Sequence, residues 1–151
     1  MRKIFTSVAV ILLSFITNAQ QAEDSIRSTI NNLFTAMKNG DASLARSVFS
    51  DSAFLQTISR DKEGKTIVRN ENPADFAKLV GTLKKDSADE RISFETIRID
   101  GPLAIVWTPY QFFYNGRFSH CGVNSFQLVR FDGVWKIQYL IDTRRRQGCN
   151  P

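Results

Sequence analysis

The sequence predicts a single α+β domain in which a strongly curved antiparallel sheet wraps three helices and leaves a cone open at one end. Three observations carry this reading. Segments with helical periodicity crowd the first half of the chain, and four long strand-like segments follow without interruption. Two of the strand junctions carry the residues of two-residue hairpin turns, Asn115-Gly116 and Asp132-Gly133. The apolar face of such a sheet must be covered, and three helices are the only cover available.

The elements follow in order. Ile26, Ile30, Leu33, Phe34 and Met37 recur at helical spacing and predict a helix over 25–39, capped by Asp24 and ended by Gly40. Asp41 caps a short helix over 42–49, buried through Leu44, Ala45, Val48 and Phe49. A strand over 54–59 and its partner over 66–69 flank a polar link containing Gly64. Asn72-Pro73-Ala74-Asp75 starts the third helix: Asn72 caps, Pro73 takes the first turn and Asp75 suits its positive pole. Phe76, Leu79, Val80 and Leu83 supply its apolar side. One strand from Ile92 to Ile99 is expected, with an irregularity near Glu95-Thr96 where alternation breaks. Strands over 103–114, 118–131 and 134–142 complete the sheet.

The first 19 residues read as a cleavable export signal, leaving one domain over 20–151. Arg2 and Lys3 precede an uncharged, mostly apolar run from Ile4 to Ile16, and small Thr17 and Ala19 stand at cleavage spacing. That run is shorter than the roughly 20 residues a spanning helix needs. A periplasmic or secreted protein is expected. Export also removes two cations. The chain has 20 basic and 15 acidic residues, so the mature part keeps 18 and 15, a net charge of about +3. That charge is mostly mixed along the chain, apart from Arg144-Arg145-Arg146, and it does not form the basic face of a nucleic-acid binder.

An oxidising compartment permits a disulfide between Cys121 and Cys149, which would tie the tail to a strand; two free thiols are the alternative. No metal is expected, since two thiols and the single His120 make an incomplete zinc set. No cofactor is expected either: the chain has no Gly-rich phosphate loop, Cys-x-x-Cys pair or Ser nucleophile motif.

His120 is the only side chain whose ordinary pKa makes it a neutral-pH acid or base. It shares parity with Phe118, Asn124, Phe126 and Leu128, which assigns it to the helix-covered side; a structural histidine bonded within the sheet is the alternative. Asp142 ends the last strand, where it can orient His120 or pair with Arg144 or Arg145. Trp107, Tyr110, Phe112 and Tyr114 crowd one strand around Pro109. A bulge at that proline would turn both Trp107 and Tyr110 inward. Asn124, Phe126 and Tyr139 join Trp107, Tyr110 and Phe112 as candidate ligand contacts.

The element order, and the ending Phe126-Gln-Leu-Val-Arg-Phe-Asp-Gly-Val-Trp135-Lys-Ile-Gln-Tyr139, resemble the nuclear transport factor 2-like superfamily, with its SnoaL-like and lumazine-binding-like domains. His120-Cys121-Gly122 with Asp142-Thr143-Arg144-Arg145 and Cys149 is similar to an exported bacterial subgroup. The resemblance implies the cone fold over the whole mature chain and leaves the activity open, because this fold hosts many chemistries. Three functional readings follow. The first is a binding domain for an apolar or aromatic small molecule. The second is an isomerase- or dehydratase-type enzyme with His120 as its acid/base. The third is a homodimerising interaction module using Leu103, Ile105 and Val129 on the uncovered sheet face.

Overall fold

The computed structural model describes residues 4–149, with side chains from residue 20 onward. Its elements are α1 (Ile4–Asn39), α2 (Ala42–Ser47), β1 (Phe49–Arg60), β2 (Thr66–Glu71), α3 (Pro73–Gly81), β3 (Ala88–Ile92), β4 (Thr96–Asp100), β5 (Leu103–Tyr114), β6 (Arg117–Phe131) and β7 (Val134–Thr143). Met1–Lys3 and the last two residues of the chain lie outside the described residues.

Asp24 does not cap the first helix. α1 runs on through it from Ile4, and the Asp24 carboxylate accepts from Gln20 Nε2 one turn earlier, at 3.0 Å. Gln20 to Glu23 contains no residue that breaks a helix, so the periodic stripe of Ile26, Ile30 and Leu33 marks the buried part of α1 and not its start. The other end is as expected. Gly40 takes φ +68°, and the Asp41 and Gly40 amides bond back to the carbonyls of Ala36 and Met37. A Cβ on Gly40 would stand 2.4 Å from the Leu83 carbonyl oxygen, so glycine also permits the close passage of the chain after α3.

Asp41 caps α2 through Leu44 N, and Asn72 caps α3 through Ala74 N, with Pro73 in the first turn. α2 is shorter than expected, because Phe49 already opens β1. Ala36, Ala45, Ala77 and Val80 let the three helices pack closely. The main core lies between α1 and the sheet, where Ile26, Ile30 and Leu33 meet Val106, Phe126, Leu128, Trp135 and Ile137.

The sheet has seven strands in the order β2-β1-β7-β6-β5-β3, with β4 also paired to β5. Most pairs are antiparallel, as expected; the β1–β7 pair is parallel and joins the N-terminal hairpin to the last strand, with Leu55 beside Leu140 and Thr57 beside Asp142. Both two-residue turns hold their left-handed geometry, at Asn115-Gly116 and Asp132-Gly133.

Three irregularities set which side chains face the core. The strand expected from Ile92 to Ile99 is two strands. β3 ends with Ile92 opposite Tyr110, β4 begins with Thr96 opposite Trp107, and Ser93 and Glu95 donate to the carbonyls of Pro109 and Trp107. Pro109 has no N–H to return a bond, so its neighbour breaks while β5 itself runs on in register. The expected bulge in β5 is therefore absent. Alternation holds from Ala104 to Tyr110, and Trp107 faces outward, 46% exposed. The bulges lie at Ser119 in β6 and Gln138 in β7, where one residue has no cross-strand partner. The first turns Phe118 out against Phe113 while His120 stays in. The second brings Asp142 to the same side as Trp135 and sends Tyr139 out.

The Cys121–Cys149 disulfide is formed, with Cα atoms 5.9 Å apart. Loop-closure entropy over its 28-residue separation corresponds to roughly 3.5 kcal/mol of stabilisation. Beside it, Cys121 and Arg145 exchange backbone hydrogen bonds of 2.9 Å in both directions. The tail is thus held against β6 by both a covalent and a backbone link.

Candidate functional site

Between the helices and the inner face of the sheet lies a cavity of about 450 Å³. Met37 from α1, Phe76, Leu79 and Leu83 from α3 and the segment after it, and Phe112 from β5 make its walls apolar. Leu79 is 55% exposed although it sits on the apolar side of α3, because it stands at the cavity rather than over the core. The polar groups gather on the sheet side.

Thr57, Asp142 and Asn124 are cross-strand neighbours on β1, β7 and β6, so one row across the sheet carries three polar groups. The buried Asp142 carboxylate accepts from Thr57 Oγ1 at 2.6 Å, Arg144 Nε at 2.9 Å and the Tyr110 hydroxyl at 3.2 Å. Arg144 Nη2 also donates to Thr57 Oγ1, and the Tyr110 hydroxyl to the Thr143 carbonyl at 2.9 Å. Burial, with Asp142 and Glu90 nearby, pushes the Tyr110 phenol far above its ordinary range, so it remains a neutral donor.

Gly122 makes this network sterically accessible. A Cβ there would stand 1.7 Å from the Thr143 carbonyl oxygen and 2.8 Å from Tyr110 Cε1. The missing side chain lets the Tyr110 ring lie across β6 and the strand end come close enough to accept its hydroxyl.

Glu90 was not among the sequence-predicted site residues. It lines the cavity from β3, and its Oε1 accepts from Asn124 Nδ2 at 2.9 Å. Burial pushes its pKa up to about 7; the Asn124 bond opposes this and the Asp142 charge adds to it. The signal was present in β3, where Ala88, Glu90 and Ile92 share parity with one another, opposite to that of Asp89 and Arg91. Glu71 also lines the cavity, and burial raises its pKa despite the nearby Arg144.

The structure brings together His120, Asp142, Tyr110, Phe112 and Asn124 around this cavity. It does not pair His120 with Asp142. The imidazole Nδ1 lies 3.0 Å from Ser119 Oγ, with the ring against Phe112 and edge-on to Tyr110. Burial and the Arg144 charge lower its pKa, which keeps it neutral at neutral pH. Three expected contacts lie elsewhere. Trp107 is on the outer face, Phe126 is wholly inside the core against Phe34, and Tyr139 stacks on Phe54 with its hydroxyl on Gln56 Oε1. Trp107 faces out because β5 has no bulge, and Tyr139 because β7 has one. Among the described residues no cluster of His, Cys, Asp and Glu is arranged to hold a metal ion.

A curved sheet on three helices, enclosing a cavity with polar groups along its sheet side, defines the class of nuclear transport factor 2-like domains. Solved structures of that fold align over most of the chain. A nuclear transport factor 2-like protein of unknown function from Shewanella baltica OS155 matches with TM-score 0.65 and 16% identity, over 84% of this chain and 96% of that one. One from Methylobacillus flagellatus KT matches with TM-score 0.64 and 17% identity, over 83% and 94%. A protein of unknown function with a cystatin-like fold from Nostoc punctiforme matches with TM-score 0.65 and 10% identity, over 83% and 92%. No curated protein sequence matches the chain. Residues 21–139 match the model of the family described as "Putative lumazine-binding", and the chain belongs to that family.

The raised pKa of Glu90 has a stability consequence. Its ordinary value of 4.5 applies when unfolded and about 7 when folded, so the folded state holds the extra proton between them. The stability tied to that proton is present below about pH 4.5 and is lost as pH rises through about 7. Glu90→Gln, which keeps a partner for Asn124, is expected to be more stable than the wild type at about pH 8, by at most about 3 kcal/mol, and to lose the advantage at about pH 4. Urea denaturation at both pH values checks this. An equal difference at the two would show that Glu90 does not titrate on folding.

Proposed function

We propose that the protein is an exported small-molecule-binding domain that takes a mostly apolar, ring-containing ligand in the cavity. One observation carries the reading: apolar walls of α1, α3 and β5 face a row of polar side chains across about 450 Å³. A pocket of that make-up buries the body of a ligand and orients it by a few polar contacts. Tyr110, His120, Asn124 and Glu90 supply those contacts, and Phe112 offers an aromatic face. The family's description also points to small-molecule binding. An isomerase- or dehydratase-type activity would use Glu90 or His120 as its proton carrier, with no carboxylate bonded to the imidazole.

Export is supported by the cation-then-apolar pattern of the first 19 residues and by the disulfide. No helix among the described residues is long and apolar enough to cross a membrane. Protein recovered from outside the cytoplasm is expected to begin near Gln20 and to weigh two hydrogens less than the reduced chain. Intact-mass spectrometry reads both, and an uncut, reduced chain in that fraction would refute the proposal.

The neutral fluorescent probe N-phenyl-1-naphthylamine is expected to bind saturably with one site per chain. Leu79→Asp places a charge at the apolar wall without touching the core, and should weaken that binding at least about tenfold with the melting temperature nearly unchanged. Absence of saturable binding, or indifference to Leu79→Asp, contradicts the reading.

A second reading rests on a separate surface. Leu103, Ile105 and Trp107 alternate on the uncovered face of β5, each close to half exposed, with Val129 paired to Leu103 on β6. Such a stripe suits the same face of a second copy. Sedimentation at micromolar concentration is expected to show a dimer that Ile105→Lys dissociates; a monomeric wild type would exclude it.

A further inference from the structure

The charge around the cavity does not balance. Arg144 is the only Lys or Arg among the described residues lining it, and Arg144 is bonded to Asp142. Its Nε and Nη2 are occupied by Asp142 and Thr57. Glu71 and Glu90 remain as carboxyl groups with no cation bonded to them. His120 stays neutral and cannot compensate either of them. Glu90 is the better placed of the two. Its Oε1 takes the Asn124 amide, and its Oε2 has no hydrogen-bond partner among the described residues. Glu90 is partly buried and lines the cavity.

We propose that the cavity selects a ligand whose apolar body carries a protonated amine, seated with its nitrogen on Glu90 Oε2. This rests on the binding reading above and names the ligand class for the same cavity. A cationic nitrogen returns the charge balance that Glu90 lacks and forms a charge-assisted hydrogen bond in a poorly hydrated site. Phe112 and Tyr110 present aromatic rings on the same side, which favours a cation over an anion. The apolar body then lies on Met37, Phe76 and Leu79. A carboxylate ligand would meet Glu71 and Glu90, and the one guanidinium lining the cavity, Arg144, is already shared with Asp142 and Thr57.

The amine needs Glu90 ionised, so binding is linked to pH. Sharing the cavity with Glu90 are Glu71 from β2, Tyr110 from β5, His120 and Asn124 from β6, Asp142 from β7 and Arg144 from the tail. On its own strand Asp89 is occupied by Lys38 of α1 and by Arg91. Tyr110 and His120 are neutral near pH 7, and Arg144 is hydrogen-bonded to Asp142. Glu90 titrates there, and amine affinity rises with pH across that range.

Three probes sharing one ring system test this by calorimetric titration: 1-naphthylmethylamine, 1-naphthylmethanol and 1-naphthylacetate. At about pH 8 the amine is expected to bind at least about tenfold tighter than the alcohol, and the acetate more weakly than either. The amine-to-alcohol ratio should fall as pH drops to about 5.5, and Glu90→Gln should bring it to about one. An acetate that binds as well as the alcohol, a ratio independent of pH in the wild type, or a preference that survives Glu90→Gln overturns the proposal. If the alcohol binds and the amine has no advantage, the cavity is a binding site but not one for amines. If none of the three binds, the binding reading and this inference fall together.

Discussion

A carboxylate buried at the end of the last strand must be given partners, and the arrangement of the site depends on how Asp142 receives them. Leaving such a group unpaired costs about 3–5 kcal/mol, a large part of the roughly 5–15 kcal/mol that stabilises a domain. The partners come from three separate parts of the chain: Thr57 on the parallel neighbour, Tyr110 on a strand two places away, and Arg144 just beyond the strand itself. Each imposes a local requirement. Thr57 needs the β1–β7 register, Tyr110 needs the bare backbone of Gly122, and Arg144 needs a tail that returns toward the sheet. The disulfide and the Cys121–Arg145 backbone bonds secure that return. Satisfying one buried charge therefore ties β1, β5 and the C-terminal tail to the cavity.

The same arrangement separates the roles of the acidic groups. Asp142 is occupied and serves structure. Glu90, with one oxygen bonded to an uncharged amide, keeps the other for whatever enters the cavity. The difference lies in their partners: a guanidinium, a hydroxyl and a phenol for Asp142, one amide for Glu90. The low identity to other proteins of this fold means that such distinctions must be read from this chain, since the architecture is shared across sequences that agree at fewer than one position in five.

Features encoded within a few residues were legible in the sequence. The caps at Asp41 and Asn72, the Schellman end at Gly40 and the two hairpin turns all depend on local side chains and backbone angles. Facing direction was legible only as far as the next bulge. Parity alone puts His120 on the cavity side; Tyr110 reaches it without the bulge expected at Pro109, and Asp142 reaches it through the bulge at Gln138. Trp107 and Tyr139 were placed on the wrong side because a bulge is a property of two strands in register and not of one. Phe126 had the right face but the wrong depth, since the helix packed over it is Phe34's. Glu90 was missed because the expected strand begins at Ile92, whereas β3 begins at Ala88.

Pro109 has a further effect at the sheet's margin. Its missing N–H splits the outer strand into two five-residue pieces separated by a kink, with Asp89, Arg91 and Arg98 along them. A straight, uncharged border would offer an unbroken ladder of donors and acceptors to any extended chain nearby. This border is short, bent and charged, which are the devices that keep sheets from recruiting one another into aggregates. One imino acid in an interior strand thus protects a rim it does not occupy.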